Sequence, residues 1–226
     1  FVLTHTVEPV AMPEQARVDE WLPPRRQPYV MDPEYKNIIG NVLSDLDYMK
    51  LRESIQKDIM RAKTVIKEVD KEYGELFGRS YGGLFECYKC EKADYILVTM
   101  GAWSGDAKEA VDKVRERGYE AGLVRIRFIR PWPREELYTT LSHAKGVLVV
   151  DRSISFGSQG HLFTDVAATL RSSKTSLRGI VTGLGGFNIG VEDFEKMLLE
   201  FIQDVEKEGF VDDNLRIWYP ERVMKQ

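Results

Sequence analysis

Between Val149 and Val166 the chain reads VVDRSISFGSQGHLFTDV, and here the residue types gather that could do chemistry. Asp151 and Arg152 end an apolar run. Ser153, Ser155 and Ser158 are then interspersed with Gly157 and Gly160, and an amphipathic segment of helical spacing follows. A loop between a strand and a helix meets unpaired backbone N–H groups at the positive end of the helix dipole, which suits a phosphate or a carboxylate. The glycines let another backbone approach closely, and Arg152 adds a full positive charge. Three uses are open: a bound acidic small molecule such as a phosphate, docking of another subunit or domain, and a structural turn. No lysine follows the glycines, so phosphate-loop spacing is absent. A serine nucleophile is disfavoured, because the order SFGSQG does not set a serine between two spaced glycines. His161 falls in the first helical turn, where capping or packing is the common role.

Three further constellations compete with this one. GLGGFNIG, residues 183–190, stands between a strand and a helix, as a dinucleotide fingerprint would. Its third glycine position holds Asn188, and no acidic residue about twenty positions on ends a second strand. It reads as a glycine-rich turn in which Asn188 caps the next helix. Cys87 and Cys90 form CYKC, but His5, His143 and His161 show no ligand spacing to complete a metal site. A redox pair is disfavoured, because CYKC precedes a strand instead of following one at a helix start, and two ordinary thiols or a local disulfide are the leading readings. Arg125 and Arg127 alternate with Val124, Ile126 and Phe128, and Arg130 and Arg134 follow. Guanidinium groups on a covered sheet need partners, either carboxylates of the same domain or an acidic cofactor or partner.

The elements that must position these residues are legible from periodicity. The chain has 226 residues, 43% hydrophobic and 30% charged, enough for a core and a surface laced with ion pairs. A net charge of -4 gives no electrostatic footprint for nucleic acid. No apolar run reaches membrane-spanning length and there is no signal-peptide pattern, so a cytoplasmic protein with no membrane partner is expected. Starting at Phe1 in a strand-like FVLTHTVEPV, the chain reads as a fragment of a longer polypeptide. Residues 1–10 are expected to end a truncated domain. Residues 11–82 are expected to hold a proline-rich extended connector, anchored by Trp21, Leu22 and Tyr29, and a linker helix. That helix runs from about Ser44 to about Tyr73. Ile55, Ile59, Ala62, Ile66, Val69, Tyr73 and Leu76 form a heptad seam along it, read as a coiled coil or as a stripe packed on a domain. Residues 83–226 alternate strands at 94–100, 121–131, 146–151 and 177–183 with helices, the first of these capped by an Asp106–Glu109 box. LRIWYP adds an edge strand. This pattern predicts an α/β fold, a mainly parallel sheet with helices on both faces.

Four stretches carry a resemblance: THTVEPVAMPEQARVDEWLPP, ILVTMGAWSGDAKEAVDKVRERG, GLVRIRFIRPWPREEL and GVLVVDRSISFGSQGHLFTDVAATL. In this order, over nearly the whole chain, they resemble the carboxyl-terminal half of the alpha subunit of a 2-oxoacid:ferredoxin oxidoreductase of the pyruvate synthase type. The resemblance implies that residues 83–226 resemble the transketolase carboxyl-terminal domain and that residues 1–10 end the pyrimidine-binding domain. It implies a complex with beta-, gamma- and delta-type subunits that turns a 2-oxoacid, with pyruvate first in line, and coenzyme A into acyl-CoA while reducing ferredoxin. Thiamine diphosphate, magnesium and iron–sulfur clusters serve that chemistry and are implied to be held by other subunits or upstream segments. This chain alone is then expected to bind no cofactor and to be inactive. Arg152, Ser153, Ser155, Gly157, Ser158 and Gly160 are expected as a docking surface or an anion site, with Arg125, Arg127 and Arg130 as a secondary basic cluster. The contrasting expectation is a stand-alone nucleotide- or CoA-binding module.

Overall fold

The computed structural model describes residues 10–34, 40, 42–213 and 218–220. Most of the strand expected over residues 1–10 lies outside them, as do residues 215–217 of the expected edge strand. In chain order the elements are α1 (Gln15–Trp21), α2 (Asp45–Phe77), β1 (Phe85–Tyr88), β2 (Tyr95–Met100), α3 (Ser104–Glu116) and β3 (Ala121–Ile126). They continue with α4 (Arg134–Leu141), β4 (Gly146–Asp151), α5 (His161–Leu170), β5 (Ser176–Val181), α6 (Val191–Glu208) and β6 (Asp212–Asp213).

The sheet order is β1-β3-β2-β4-β5-β6. All neighbours are parallel except β1, which runs antiparallel to β3 with Phe85 opposite Ile126 and Tyr88 opposite Leu123. Counted over the parallel strands alone, the order is the doubly wound 2-1-3-4-5, whose direction reverses between β2 and β4. The sequence dictates this arrangement. YILVTM, AGLVRI and GVLVVD are apolar almost throughout, as strands covered on both faces must be. Their alternate residues feed two cores. Leu97, Leu123, Leu148 and Val150 meet α3 and α6 on one face, and Ile96, Val98, Val124 and Val149 meet α4 and α5 on the other. In α6, Phe194, Met197, Leu198, Phe201, Ile202 and Val205 fall at helical spacing and are all buried. Gly146 leaves room for the Phe201 ring, which would lie 2.8 Å from an added Cβ.

The expected strands and helices of residues 94–209 are present, with local corrections. β3 stops at Ile126 rather than at residue 131, because Arg127 and Phe128 turn their N–H groups to the Leu84 carbonyl, both at 3.1 Å. β1 carries no apolar alternation that would announce it. α3 begins at Ser104, two residues before Asp106, so Asp106 lies inside the first turn and no side chain caps the helix. Asn188 does not cap α6; Gly190 is the N-cap, and its N–H donates to Asp193 Oδ2 at 3.0 Å. Of the expected carboxyl-terminal edge strand, Trp218 makes a single parallel bridge to Val181, while β6 supplies the pairing with β5.

Upstream, α2 runs for 33 residues, from a Ser44 cap that accepts the Asp47 N–H at 3.2 Å to Gly78 in the left-handed region at φ 69°. It outlasts the expected end at Tyr73 by about a turn, because Gly78 is the residue whose conformation stops it. Of the seam residues, Ala62, Ile66 and Tyr73 are half-buried, whereas Ile55 and Ile59 at 41%, Val69 at 42% and Leu76 at 37% are exposed. The helix therefore packs by part of the seam only, at Ala62, Ile66 and Tyr73. The segment before it contains α1, not only extended chain. Trp21 packs edge-on against Tyr73 and Phe77 at 5.5 and 5.7 Å, as an anchor should. Leu22 and Tyr29 do not anchor, being 58% and 71% exposed. Turning Trp21 toward α2 carries the next residue roughly 100° around the helix and away from it.

Asp70 is the polar centre of that packing. Its carboxylate accepts from Ser80 Oγ at 2.7 Å, Arg127 Nη1 at 3.0 Å and the Tyr81 N–H at 3.2 Å, tying α2 to the start of the sheet. Burial opposes its ionisation, but the Ser80, Arg127 and backbone donors outweigh burial and hold the carboxyl below its ordinary 3.8. Asp70→Ala is expected to lower unfolding stability by about 1.5–3 kcal/mol at neutral pH. A group with a depressed folded pKa stabilises above its unfolded value and loses that contribution as pH falls through the folded one. Parent and variant should therefore converge in denaturant melts below about pH 3.8, and amide exchange in α2 should quicken before that of β2 or β4. A stability gap that widens in acid would contradict this account.

Candidate functional site

The carboxyl ends of β2, β3, β4 and β5 lie along one edge of the sheet, and the loop from Arg152 to Gly160 occupies the crevice where strand order reverses. The centre of this edge is Asp151, the last residue of β4, only 2% exposed. Its Oδ1 accepts the Leu162 N–H and its Oδ2 the Phe163 N–H, each at 2.9 Å. The first-turn N–H groups of α5 are thus already bound to a carboxylate of the chain itself. Burial pushes the Asp151 carboxyl above its ordinary 3.8, against the lowering pull of the Leu162 and Phe163 N–H groups, of His161 and of Ser153. Its main-chain oxygen accepts the Thr182 N–H at 3.0 Å, so the same residue also fixes the exit of β5.

Gly160 is present for Asp151. A Cβ at this buried position would stand 2.2 Å from Asp151 Oδ2. Ser153 is half-buried, and its Oγ lies 3.1 Å from His161 Nδ1. Ser155 and Ser158 are exposed and close a turn on one another, the Ser158 N–H donating to the Ser155 carbonyl at 2.9 Å and the Ser155 N–H to the Gln159 carbonyl at 3.0 Å. Gly157 sits third in that turn at φ 79°, the position that calls for glycine. The effect is to hold Phe156 outward at the tip, 91% exposed.

Arg152 ties three loops together. Its Nε donates to the Gly183 carbonyl at 3.1 Å, and its guanidinium lies 5.2 Å from the centre of the Trp103 ring. Gly183, at φ 67°, lets that ring pass, since an added Cβ would meet it at 2.4 Å. Trp103 in turn packs edge-on against Phe194 of α6 at 5.7 Å. The segments that follow β2, β4 and β5 are therefore joined through one cation and one indole. Around them the same edge exposes Met100, Ile129, Leu184 and Phe187, between 38% and 48% each.

The secondary basic residues are not gathered into one site. Arg125 pairs with Glu86 at 3.6 Å, across the β1–β3 register. Arg127 binds Asp70 and the Gly83 carbonyl, and Arg130 binds Asp165 on α5 at 2.8 Å. Arg125, Arg127 and Arg130 are each matched by a carboxylate of the same chain. Two features of the edge carry no signal in the sequence: the Asp151 cap, whose donors lie eleven and twelve residues on, and the role of Trp103 beneath Arg152. Among the described residues no three His, Cys, Asp or Glu side chains stand together to hold a metal ion, and Cys87 and Cys90 are joined to each other. The described residues do not fit an iron–sulfur cluster or a thiamine-linked magnesium site, and no step is assigned to either on this chain.

Comparison with known proteins adds the following. The family described as pyruvate:ferredoxin oxidoreductase core domain II matches residues 93–194. The ketoisovalerate oxidoreductase subunit VorA of Pyrococcus horikoshii is 39% identical over 222 residues, covering 97% of this chain and 56% of the relative. The pyruvate synthase subunit PorA of Methanothermobacter thermautotrophicus is 37% identical over 198 residues, covering 88% of this chain and 51% of the relative. A solved 2-oxoglutarate:ferredoxin oxidoreductase from Magnetococcus marinus is 20% identical, with a TM-score of 0.40, over 53% of this chain and 20% of that one. The chain spans about half the length of the curated relatives it matches.

Asp151→Asn replaces one of two acceptors by an amide N–H₂ facing a backbone N–H. The expected loss is about 1–3 kcal/mol, greatest in acid. A carboxyl with a raised folded pKa stabilises fully below its unfolded value and loses that contribution as pH rises through the folded one. The gap between parent and variant should therefore be widest below about pH 3.8 and narrow upward, opposite in sign to Asp70. Denaturant titrations of both proteins from pH 3 to about pH 8 would measure it. A gap that grows with pH would mean that the carboxylate is favoured by the fold, not penalised.

Proposed function

The chain belongs to the 2-oxoacid:ferredoxin oxidoreductase family, and we propose that it serves there as the carboxyl-terminal assembly portion of an alpha-type subunit. On this reading the whole enzyme oxidatively decarboxylates a 2-oxoacid in the presence of coenzyme A, yielding acyl-CoA and reduced ferredoxin. Relatives carry both the pyruvate and the ketoisovalerate names, so pyruvate is the first substrate to assay and branched 2-oxoacids the second. The proposed division is residues 1–10 as the end of a preceding domain, 11–82 as connector and linker helix, and 83–226 as a transketolase carboxyl-terminal-like domain. Thiamine diphosphate, magnesium and iron–sulfur clusters would supply acyl-anion and electron-transfer chemistry from other parts of a cytoplasmic complex. This chain contributes a rigid surface to which those parts dock.

Phe156 carries the proposal. A large aromatic side chain 91% exposed, at the tip of a turn closed by its own hydrogen bonds, is costly in water and ready-made for an interface. The bound-anion alternative loses its best donors, since Leu162 and Phe163 already give their N–H groups to Asp151. A nucleotide- or CoA-binding module would have to displace a carboxylate of the chain from the very position a phosphate needs.

Phe156→Ala should leave the melting temperature unchanged and weaken association with the other subunits by roughly 30-fold, the scale of an aromatic hot spot. Arg152→Ala should weaken association and also lower stability, because it releases the Trp103 and Gly183 loops. Native mass spectrometry of co-expressed subunits across a dilution series reads both. Normal assembly together with lost CoA affinity would favour the anion site, and no change in either would leave the loop as a turn. The chain alone should show no 2-oxoacid-dependent dye reduction when thiamine diphosphate, magnesium and CoA are supplied; turnover by it would overturn the assembly reading.

A further inference from the structure

Cys87 and Cys90 are bridged, three residues apart, with their Cα atoms 5.5 Å apart. So short a ring restrains little of the unfolded chain, so its contribution as a staple is small. Nor does the turn it spans need one. Tyr88 and Lys89 both bind Asp112 on α3, Tyr88 Oη at 2.8 Å and Lys89 Nζ at 2.6 Å, and the Ala93 N–H donates to the Cys90 carbonyl at 3.3 Å. β1 is fixed on β3 with Cys87 opposite Val124. A bridge that is not required for holding a turn points to a chemical role.

The two sulfurs stand in opposite surroundings. Cys87 is exposed on β1, which among the described residues is an edge strand of the sheet. Cys90 is 0% exposed and packs in the apolar layer with Ala93, Ile96 and Val124. Gly122 presses on it from β3: an added Cβ there would stand 2.6 Å from Cys90 Cα and 2.7 Å from the Lys89 carbonyl oxygen. The backbone around Cys90 is thereby held still, which keeps its sulfur near Cys87 even with the bridge open.

We propose that Cys87 and Cys90 form a reversible dithiol–disulfide couple, with Cys87 the sulfur that exchanges with external thiols and Cys90 the resolving sulfur. The external partner is a dithiol. One of its thiolates attacks Cys87 Sγ, a new S–S bond forms, and the Cys87–Cys90 bond breaks with its electron pair on Cys90 Sγ, which takes up a proton. The second thiol of the dithiol, losing its proton, then displaces Cys87, which leaves as a thiolate and is protonated. Two electrons and two protons have passed from the dithiol, now a cyclic disulfide, to the pair. The reverse sequence closes the bridge. Exposure, not an activating helix end, selects Cys87, since CYKC precedes β2 and no helix begins beside it.

The test uses the native protein equilibrated with mixtures of reduced and oxidised dithiothreitol, quenched by alkylation and read by peptide mass. The expected result is one two-electron curve, reached from either side, in which a tenfold change in the dithiol-to-disulfide ratio shifts the reduced-to-oxidised ratio of the pair about tenfold while the fold is kept. In Cys90→Ser, the Cys87 thiol should react with an aromatic disulfide reagent at least ~10-fold faster than the Cys90 thiol does in Cys87→Ser, which must wait for local opening. Thiols that stay free in fully oxidised buffer, a bridge that opens only in denaturant, or equal reactivity of the two single thiols would each overturn the proposal.

Discussion

The buried Asp151 carboxylate is the interaction on which the carboxyl edge of the sheet depends. It ends β4 at the point where strand order reverses, and it satisfies two first-turn N–H groups of α5 that no other side chain caps. Gly160 must be glycine because the carboxylate occupies the space a side chain would need. With α5 fixed in this way, the loop between has both ends held and can close its own turn around Gly157. The raised Asp151 pKa shows the cost of the arrangement: a charge kept out of water so that a helix begins at one defined place. The site most suited to an external anion is thereby filled internally, and what the loop has left to offer a partner is shape and apolar surface.

Charge is distributed in the same sense elsewhere. Arg125, Arg127 and Arg130 each meet a carboxylate from a different element, so they tie β1, α2 and α5 to β3 and its following loop. Arg152 is bound to a carbonyl and an indole face and so acts first on its neighbours. The sheet's carboxyl edge is consequently rich in exposed apolar side chains and has its cations spoken for. Desolvating such an edge against another protein surface costs less than desolvating unpaired charge.

How much of this is legible in the sequence depends on the range of the interaction. Strands buried on both faces and amphipathic helices are periodic, so β2 to β5 and α3 to α6 are legible, and with them a sheet covered by helices on both faces. The order SFGSQG between a strand and a helix locates the loop as well. The Asp151 cap is not legible, because its donors follow after a loop whose path must be known first. Asn188 illustrates the reverse error: its residue type suits a cap, yet Gly190 stands at the helix start and Asp193 bonds back to it. β1, at four residues, is defined by pairing with β3 and has no pattern of its own. The heptad seam of α2 is real as a pattern, but only Ala62, Ile66 and Tyr73 of it are partly covered, beside the Asp70 contacts.

Rigidity and exposure at one place are usually at odds, since an unpartnered aromatic side chain lowers its free energy by folding back onto the nearest apolar surface. Phe156 does not do so here. The turn that bears it is closed at Ser155, Ser158 and Gln159, its trailing end is fixed by Gly160 against Asp151, and its leading end is held by Arg152 across Trp103. Each of these is a short polar or stacking contact of modest strength, and together they fix the backbone from which the exposed ring projects. The ordering cost of presenting that ring is then met during folding and not at association, which is the condition under which a single exposed aromatic contributes most to binding. The same logic explains why a carboxylate is buried beneath the loop: a ligand anion at that position would come and go, whereas Asp151 is covalently present and holds the turn in one form at all times.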